Sequence, residues 1–219
     1  GPTFEDPNPG ALFYSGLNFP YNIYQSFTND FISLIGSGYV LEFWFMIDNV
    51  IMNQTNFKTG KKYHYFNAKP HDIYIEESKY YYRFSGKNNR EDKVEITNLM
   101  HQYEWNKILI FADATISGLK EIRVVVNFDK VNTKRIDVSS EEITLTYIAF
   151  CSNDPDLNLL YPECVLRGNT INWASAYYNN IRIWNIKTST VETIQSYITG
   201  IYTENPQSII LFYPLTIKY

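Results

Sequence analysis

The chain has 219 residues, 45% hydrophobic and 19% charged, with a formal net charge of −4. That apolar content is enough to fill a core and excludes a disordered chain, and the lack of a basic excess argues against a nonspecific nucleic-acid binder. No apolar run approaches the ~18–20 residues of a membrane span, and the length suits one β-rich domain, since such cores run to about 250 residues. Gly1-Pro2 stands where a methionine would, which points to an expression scar or a cut from a longer chain, so missing targeting segments carry no message.

Residues 1–10, with three prolines, read as a loosely ordered leading segment, and residues 11–219 as a single domain. Aromatic residues reach 17%, from 19 Tyr, 14 Phe and 4 Trp. AT-rich codon usage and selection for stacking platforms both produce such a composition, and either way Tyr, Phe, Ile, Val and Thr favour pleated, half-buried surfaces.

In chain order, period-two alternation predicts strands over Ala11–Ser15, Tyr39–Ile47, Lys62–Phe66, Asp72–Glu77, Tyr80–Ser85 and Val94–Thr97. Further strands are expected over Lys107–Ala112, Glu121–Phe128, Ile143–Cys151, Ala176–Trp184 and Ser208–Leu215. Tyr39–Ile47 has few polar breaks and reads as a central strand covered on both faces. Turn chemistry at Gly36-Ser37-Gly38, Gly86-Lys87-Asn88-Asn89, Ser117-Gly118, Asn127-Phe128-Asp129 and Asn179-Asn180 separates them. Ser189-Thr190-Val191-Glu192 is a capping box, followed by Val191, Ile194 and Ile198 on one helical face and Gly200 at a C-terminal cap position. The expected fold class is therefore all-β, with one short helix near the C-terminus.

Glu42-Phe43-Trp44-Phe45, the strand opened by Trp105, Val124–Asp129, Ile143–Ser152, and Ala176–Asn185 followed by the capped helix together resemble the concanavalin A-like, laminin G-like jelly roll. The match runs from about Phe31 to Tyr213, and the late segment is its most specific piece. The resemblance implies an antiparallel two-sheet sandwich with the first and last strands adjacent. The chain departs from the family at Phe150-Cys151 and in a long loop from Ser152 to Ala174, both at the rim where ligands are usually held, so binding residues do not transfer.

The two cysteines, Cys151 and Cys164, bracket that loop. A disulfide between them fits an oxidising compartment, the alternative being two buried thiols in a cytosolic protein. The sequon Asn53-Gln54-Thr55 points weakly the same way, so an extracellular or cell-surface setting in the secretory pathway is expected. Asp154, Asp156 and Asn158 place oxygens at alternating positions with Glu163 nearby, the donor type Ca²⁺ takes; the competing reading is an acidic solvated turn. The family's rim Ca²⁺ supports the metal reading. Asn127 with Asp129 is a second cation candidate or, more simply, a hairpin turn.

His64, His71 and His101 fall in no zinc spacing, and no Gly-x-Ser-x-Gly, phosphate loop or dinucleotide fingerprint occurs. Glycosidases of this fold present carboxylates as Glu-x-Asp-x-x-Glu, and Glu76-Glu77 and Glu141-Glu142 read instead as solvated turns or edges. No enzyme is expected, and no organic cofactor. Tyr63–Phe66, Tyr80–Tyr82 and Tyr177-Tyr178 cannot all point inward from strands, so some aromatics reach the surface. Tyr81, Tyr177 and Trp173 are the candidate ligand contacts, with Trp173 expected exposed and Trp44, Trp105 and Trp184 in the core. The reading is an extracellular recognition module for glycan or protein; an assembly module without a small ligand and a divergent glycoside hydrolase are the alternatives.

Overall fold

The computed structural model describes residues 23–36, 38–47, 60–113, 120–151, 172–174, 176–185 and 209–213. These form strands β1 (Ile23–Ser26), β2 (Gly38–Ile47), β3 (Tyr63–Ala68), β4 (His71–Glu76), β5 (Lys79–Ser85), β6 (Glu91–Glu95) and β7 (Trp105–Asp113). They continue with β8 (Glu121–Val126), β9 (Lys134–Asp137), β10 (Tyr147–Phe150), β11 (Asn172–Trp173), β12 (Ala176–Asn185) and β13 (Ile209–Tyr213). One helix, α1 (Asn29–Ile35), lies between β1 and β2.

The strands make two sheets. Sheet A runs β1-β10-β3-β4-β5-β6, with β11 added beside β3, and sheet B runs β13-β12-β2-β7-β8-β9. All pairings are antiparallel except the short β11–β3 contact. This is the all-β fold that the alternation predicts, in the two-sheet sandwich that the resemblance implies.

The core lies between the sheets. From β2 it takes Tyr39, Leu41, Phe43, Phe45 and Ile47, and from the facing sheet Tyr65, Phe66, Ile73, Tyr82, Phe84 and Phe150. Period two explains the choice, because alternate β2 residues face opposite ways. Phe43 alone meets Phe66, Phe150 and Tyr178 at centroid separations of 5.0, 5.1 and 6.4 Å. Each fully buried side chain of this size contributes ~1.5–3 kcal/mol relative to exposure.

One chain of polar groups crosses the apolar layer. Tyr39 donates its hydroxyl to the Ile143 carbonyl at 2.6 Å, so its oxygen accepts from His71 Nε2 at 2.8 Å. His71 Nδ1 then accepts from the Tyr82 hydroxyl at 2.5 Å. Sheet B is thereby tied through Tyr39 to sheet A through His71 and Tyr82. Burial lowers the His71 pKa to about 3 and raises the hydroxyls of Tyr39 and Tyr82 well above their ordinary value.

The structure corrects the expected elements in several places. Asn179-Asn180 is not a turn between strands: the β12–β2 register shifts between Asn179 and Arg182, and Asn180 takes a φ of 47°, so the pair is a bulge inside one continuous strand. Ile143 and Leu145 are buried but precede the paired segment, which shortens the expected Ile143–Cys151 strand to β10. β6 begins earlier than Val94 and ends at Glu95. The structure adds α1, which the alternation does not predict; the helix expected over residues 189–200, the strand expected over residues 11–15 and the turn at 117–118 lie outside the described residues. Thr28 caps α1 by accepting from the Phe31 amide at 3.2 Å, while Phe31, Ile32 and Ile35 turn towards the core.

Candidate functional site

Sheet A presents its outer face as an aromatic surface threaded with charge. The β3–β4 hairpin builds its centre. A register shift between His64 and Phe66 sends both Tyr65 and Phe66 into the core, while His64, between core-facing Tyr63 and Tyr65, lies on the outer face beside Tyr74. His64 Nδ1 and Asp72 Oδ1 are 2.7 Å apart, and the second Asp72 oxygen accepts from Arg83 on β5 at 2.5 Å. Arg83 also reaches Glu91 on β6 at 3.5 Å, so one polar chain crosses β3 to β6.

Rings fill the space around that chain. Tyr74 and Tyr81 stack at 5.4 Å, and His64 lies 5.7 Å from Tyr74 and 6.2 Å, edge to face, from Trp173. Lys62 and Arg83 sit over the Tyr74 ring at 5.2 and 5.1 Å, and Lys93 sits over Tyr81 at 4.6 Å. Tyr24 and Tyr147 stack at 5.4 Å at the β1–β10 edge. Burial pushes the Tyr74 hydroxyl up to about 12, against the opposing pull of Arg83.

A second concavity opens at the end of the sandwich. It encloses about 330 Å³ and is lined by the turn at Lys69-Pro70, the β5–β6 hairpin at Gly86-Lys87, and Glu141 and Glu142. Glu142 builds its wall, accepting from the amides of Lys87 at 3.1 Å and Ser139 at 3.0 Å. Burial opposes ionisation of Glu142, but those amides, with Arg90, hold its carboxyl below the usual range. A Cβ at Gly86 would lie 2.2 Å from Glu142 Oε2 and 3.0 Å from the Phe84 ring, so any larger residue there displaces the Glu142 carboxylate.

The outer face of sheet B is different. Glu42 on β2 pairs with Lys107 on β7 and with Arg182 on β12 at 3.3 Å, and accepts from Trp184 Nε1 at 2.6 Å. Glu42, Lys107 and Arg182 are all buried.

The structure places the three expected ligand contacts apart. Tyr81 is half-buried on the outer face of sheet A. Tyr177, also half-buried, lies on the outer face of sheet B opposite Met46, so the two tyrosines cannot share one ligand. Trp173 corrects the expectation of an exposed indole: it is 1% exposed, packed with Ala149 and Cys151. Trp44 and Trp184 are core-like as expected, whereas Trp105 is half-buried at the start of β7.

Cys151 is buried just past β10, while Cys164 lies outside the described residues, as do Asp154, Asp156, Asn158, Glu163 and Asn53. Among the described residues no three His, Cys, Asp or Glu side chains gather as metal ligands. Asn127 and Asp129 form a hairpin turn, with Asn127 Nδ2 bonded to the Leu99 carbonyl at 2.8 Å and Asp129 accepting from Asn132. The His64–Asp72–Arg83 chain escaped the sequence reading, because it joins β3, β4 and β5 across the sheet and no local spacing records it.

Among solved structures, the receptor-binding domain of a botulinum neurotoxin C/D mosaic serotype superimposes with a TM-score of 0.53 at 15% identity, over 82% of this chain and 40% of that one. The binding domain of botulinum neurotoxin serotype D gives 0.52 at 15% identity over the same shares. At such identity the likeness is one of fold: a β-sandwich shared with part of a longer chain. No protein-family model matches the sequence, and no curated protein does. Among the described residues no helix is long and apolar enough to cross a membrane.

Proposed function

We propose that this chain is a non-catalytic recognition domain of the concanavalin A-like, laminin G-like type, binding glycan through the outer face of sheet A. The observation that carries the reading is the Tyr74–Tyr81 stack, held at 5.4 Å on a paired sheet with Lys93 over the outer ring. A half-buried ring fixed in this way offers a flat apolar face beside polar groups, which is what a sugar with one apolar face and many hydroxyls requires. The structural neighbours, one described as a receptor-binding domain and the other as a binding domain, support a recognition role.

The reading includes an extracellular or cell-surface setting, a Cys151–Cys164 disulfide, and Ca²⁺ held by Asp154, Asp156 and Asn158 within the disulfide-closed loop. Two experiments test it. Capture on an array of immobilised neutral and acidic oligosaccharides, run with Ca²⁺ and then with a chelator, should show specific binding that Tyr81→Ala weakens. Capture of no glycan, together with co-purification of a protein partner, would replace this reading with that of an assembly module. Reduction of the protein should lower its Tm, since a loop of this size closed by a disulfide contributes ~3 kcal/mol. An unchanged Tm would remove the disulfide and, with it, the argument for an oxidising compartment.

A further inference from the structure

The imidazole of His64 is held as a bonded pair with one end left over. Asp72 is an acceptor when ionised, so the hydrogen between Asp72 Oδ1 and His64 Nδ1, 2.7 Å apart, belongs to Nδ1. A neutral ring so held carries its lone pair on Nε2. Arg83 occupies the other Asp72 oxygen, and Glu91 holds Arg83 in turn, so Asp72 cannot rotate away without breaking both links. Among the described residues nothing hydrogen-bonds to His64 Nε2. Tyr74, 5.7 Å away between ring centroids, adds a hydroxyl with no acceptor. The cluster therefore lacks one donor and one acceptor, although both residues are almost wholly buried.

Unlike the enclosed Tyr74 hydroxyl, His64 Nε2 keeps contact with solvent, so a hydroxyl can reach it and donate to its lone pair. Among the described residues no serine, threonine or cysteine is bonded to Nε2, so the pair does not activate a nucleophile. It is instead a fixed acceptor on the same face as Tyr81. We propose that His64 is the hydroxyl-reading residue of this surface, accepting through Nε2 from a carbohydrate hydroxyl, with Asp72 as the positioning residue that sets its tautomer. In the free protein a water takes that position, and the ligand hydroxyl displaces it. The inference rests on the glycan reading above and specifies which residue selects within it.

The test combines tautomer and binding. Nitrogen-15 NMR of the labelled full chain should show His64 protonated on Nδ1 and bare on Nε2; a proton on Nε2, in the other tautomer or in the doubly protonated ring, overturns the inference. On the oligosaccharide array, His64→Phe should weaken capture by about tenfold, the loss expected for one desolvated hydrogen bond. His64→Gln, whose amide oxygen accepts, should restore part of it. Asp72→Asn should also weaken capture while the melt shows a folded protein, and it carries the test should His64→Phe not fold. If Tyr81→Ala weakens capture while His64→Phe and Asp72→Asn leave it unchanged, the inference falls and the glycan reading stands. If the wild type captures no oligosaccharide, both fall.

Discussion

On the outer face of sheet B, Glu42 lies between Lys107 and Arg182 with all three buried, whereas on the outer face of sheet A, Lys62 and Lys93 lie over tyrosine rings near solvent. Both faces mix aromatic rings with charge, yet the mixture serves different ends. In sheet B the carboxylate takes two cations and an indole N–H, so its lone pairs are satisfied and the cluster acts as a structural link between β12, β2 and β7. In sheet A the polar chain ends on a histidine with a bare nitrogen, and the lysines have no carboxylate within ion-pair distance among the described residues. Charge that is fully paired and buried is costly to disturb, because removing one partner strands the other; charge left partly unpaired at a surface is available to a ligand.

The largest expected effect follows from breaking the sheet B cluster. Glu42→Gln should destabilise the protein by ~3–5 kcal/mol, because it removes the buried carboxylate that both Lys107 and Arg182 face. Urea unfolding would measure this, and a loss below about 1 kcal/mol would mean the cluster is hydrated rather than structural. The next effect concerns the link between the sheets. The His71 pKa is lowered to about 3 in the folded state, from 6.5, so between these values the unfolded chain binds the extra proton. Stability should therefore fall as pH drops through 6.5 and level off near 3, with a loss of about 2–3 kcal/mol between pH 7.5 and 4.5. Equal stability at those two values in urea unfolding would place His71 outside the core.

The alternation of apolar residues was enough to read most of the sandwich. β2, β4, β5, β7 and β12 fall within a residue or two of expectation, because each buries one face and period two is the direct record of that burial. The misses have a common cause in interruptions of that period. Asn179-Asn180 looks like a turn because both residues tolerate a positive φ, but long pairing on both sides of β12 absorbs it as a bulge. β9, Lys134–Asp137, is short and mostly charged, and pairing with β8 rather than composition makes it a strand. The site suffered more than the fold. Tyr81 was legible as an outward ring on a Tyr-Tyr-Tyr strand, but Trp173 was misplaced because β11 pairs parallel with β3, a contact between distant segments that no local pattern records.

The smallest expected change in stability is also the one that most sharpens the contrast between the two faces. Tyr81→Ala removes a half-buried ring whose partners are Tyr74 and the exposed Lys93, so no charge is stranded and no core cavity opens. The stability loss should be ~0.5–1.5 kcal/mol, the worth of one aromatic pair. Its effect on glycan capture should be far larger in proportion, since the ring is the flat platform on which the proposed ligand rests. Glu42→Gln should show the reverse, a large stability loss with capture unchanged in the fraction that stays folded. Measuring melt and capture on both variants therefore separates the faces by function. Should Tyr81→Ala prove as destabilising as Glu42→Gln while capture persists, the outer face of sheet A would be structural and the ligand surface would lie elsewhere.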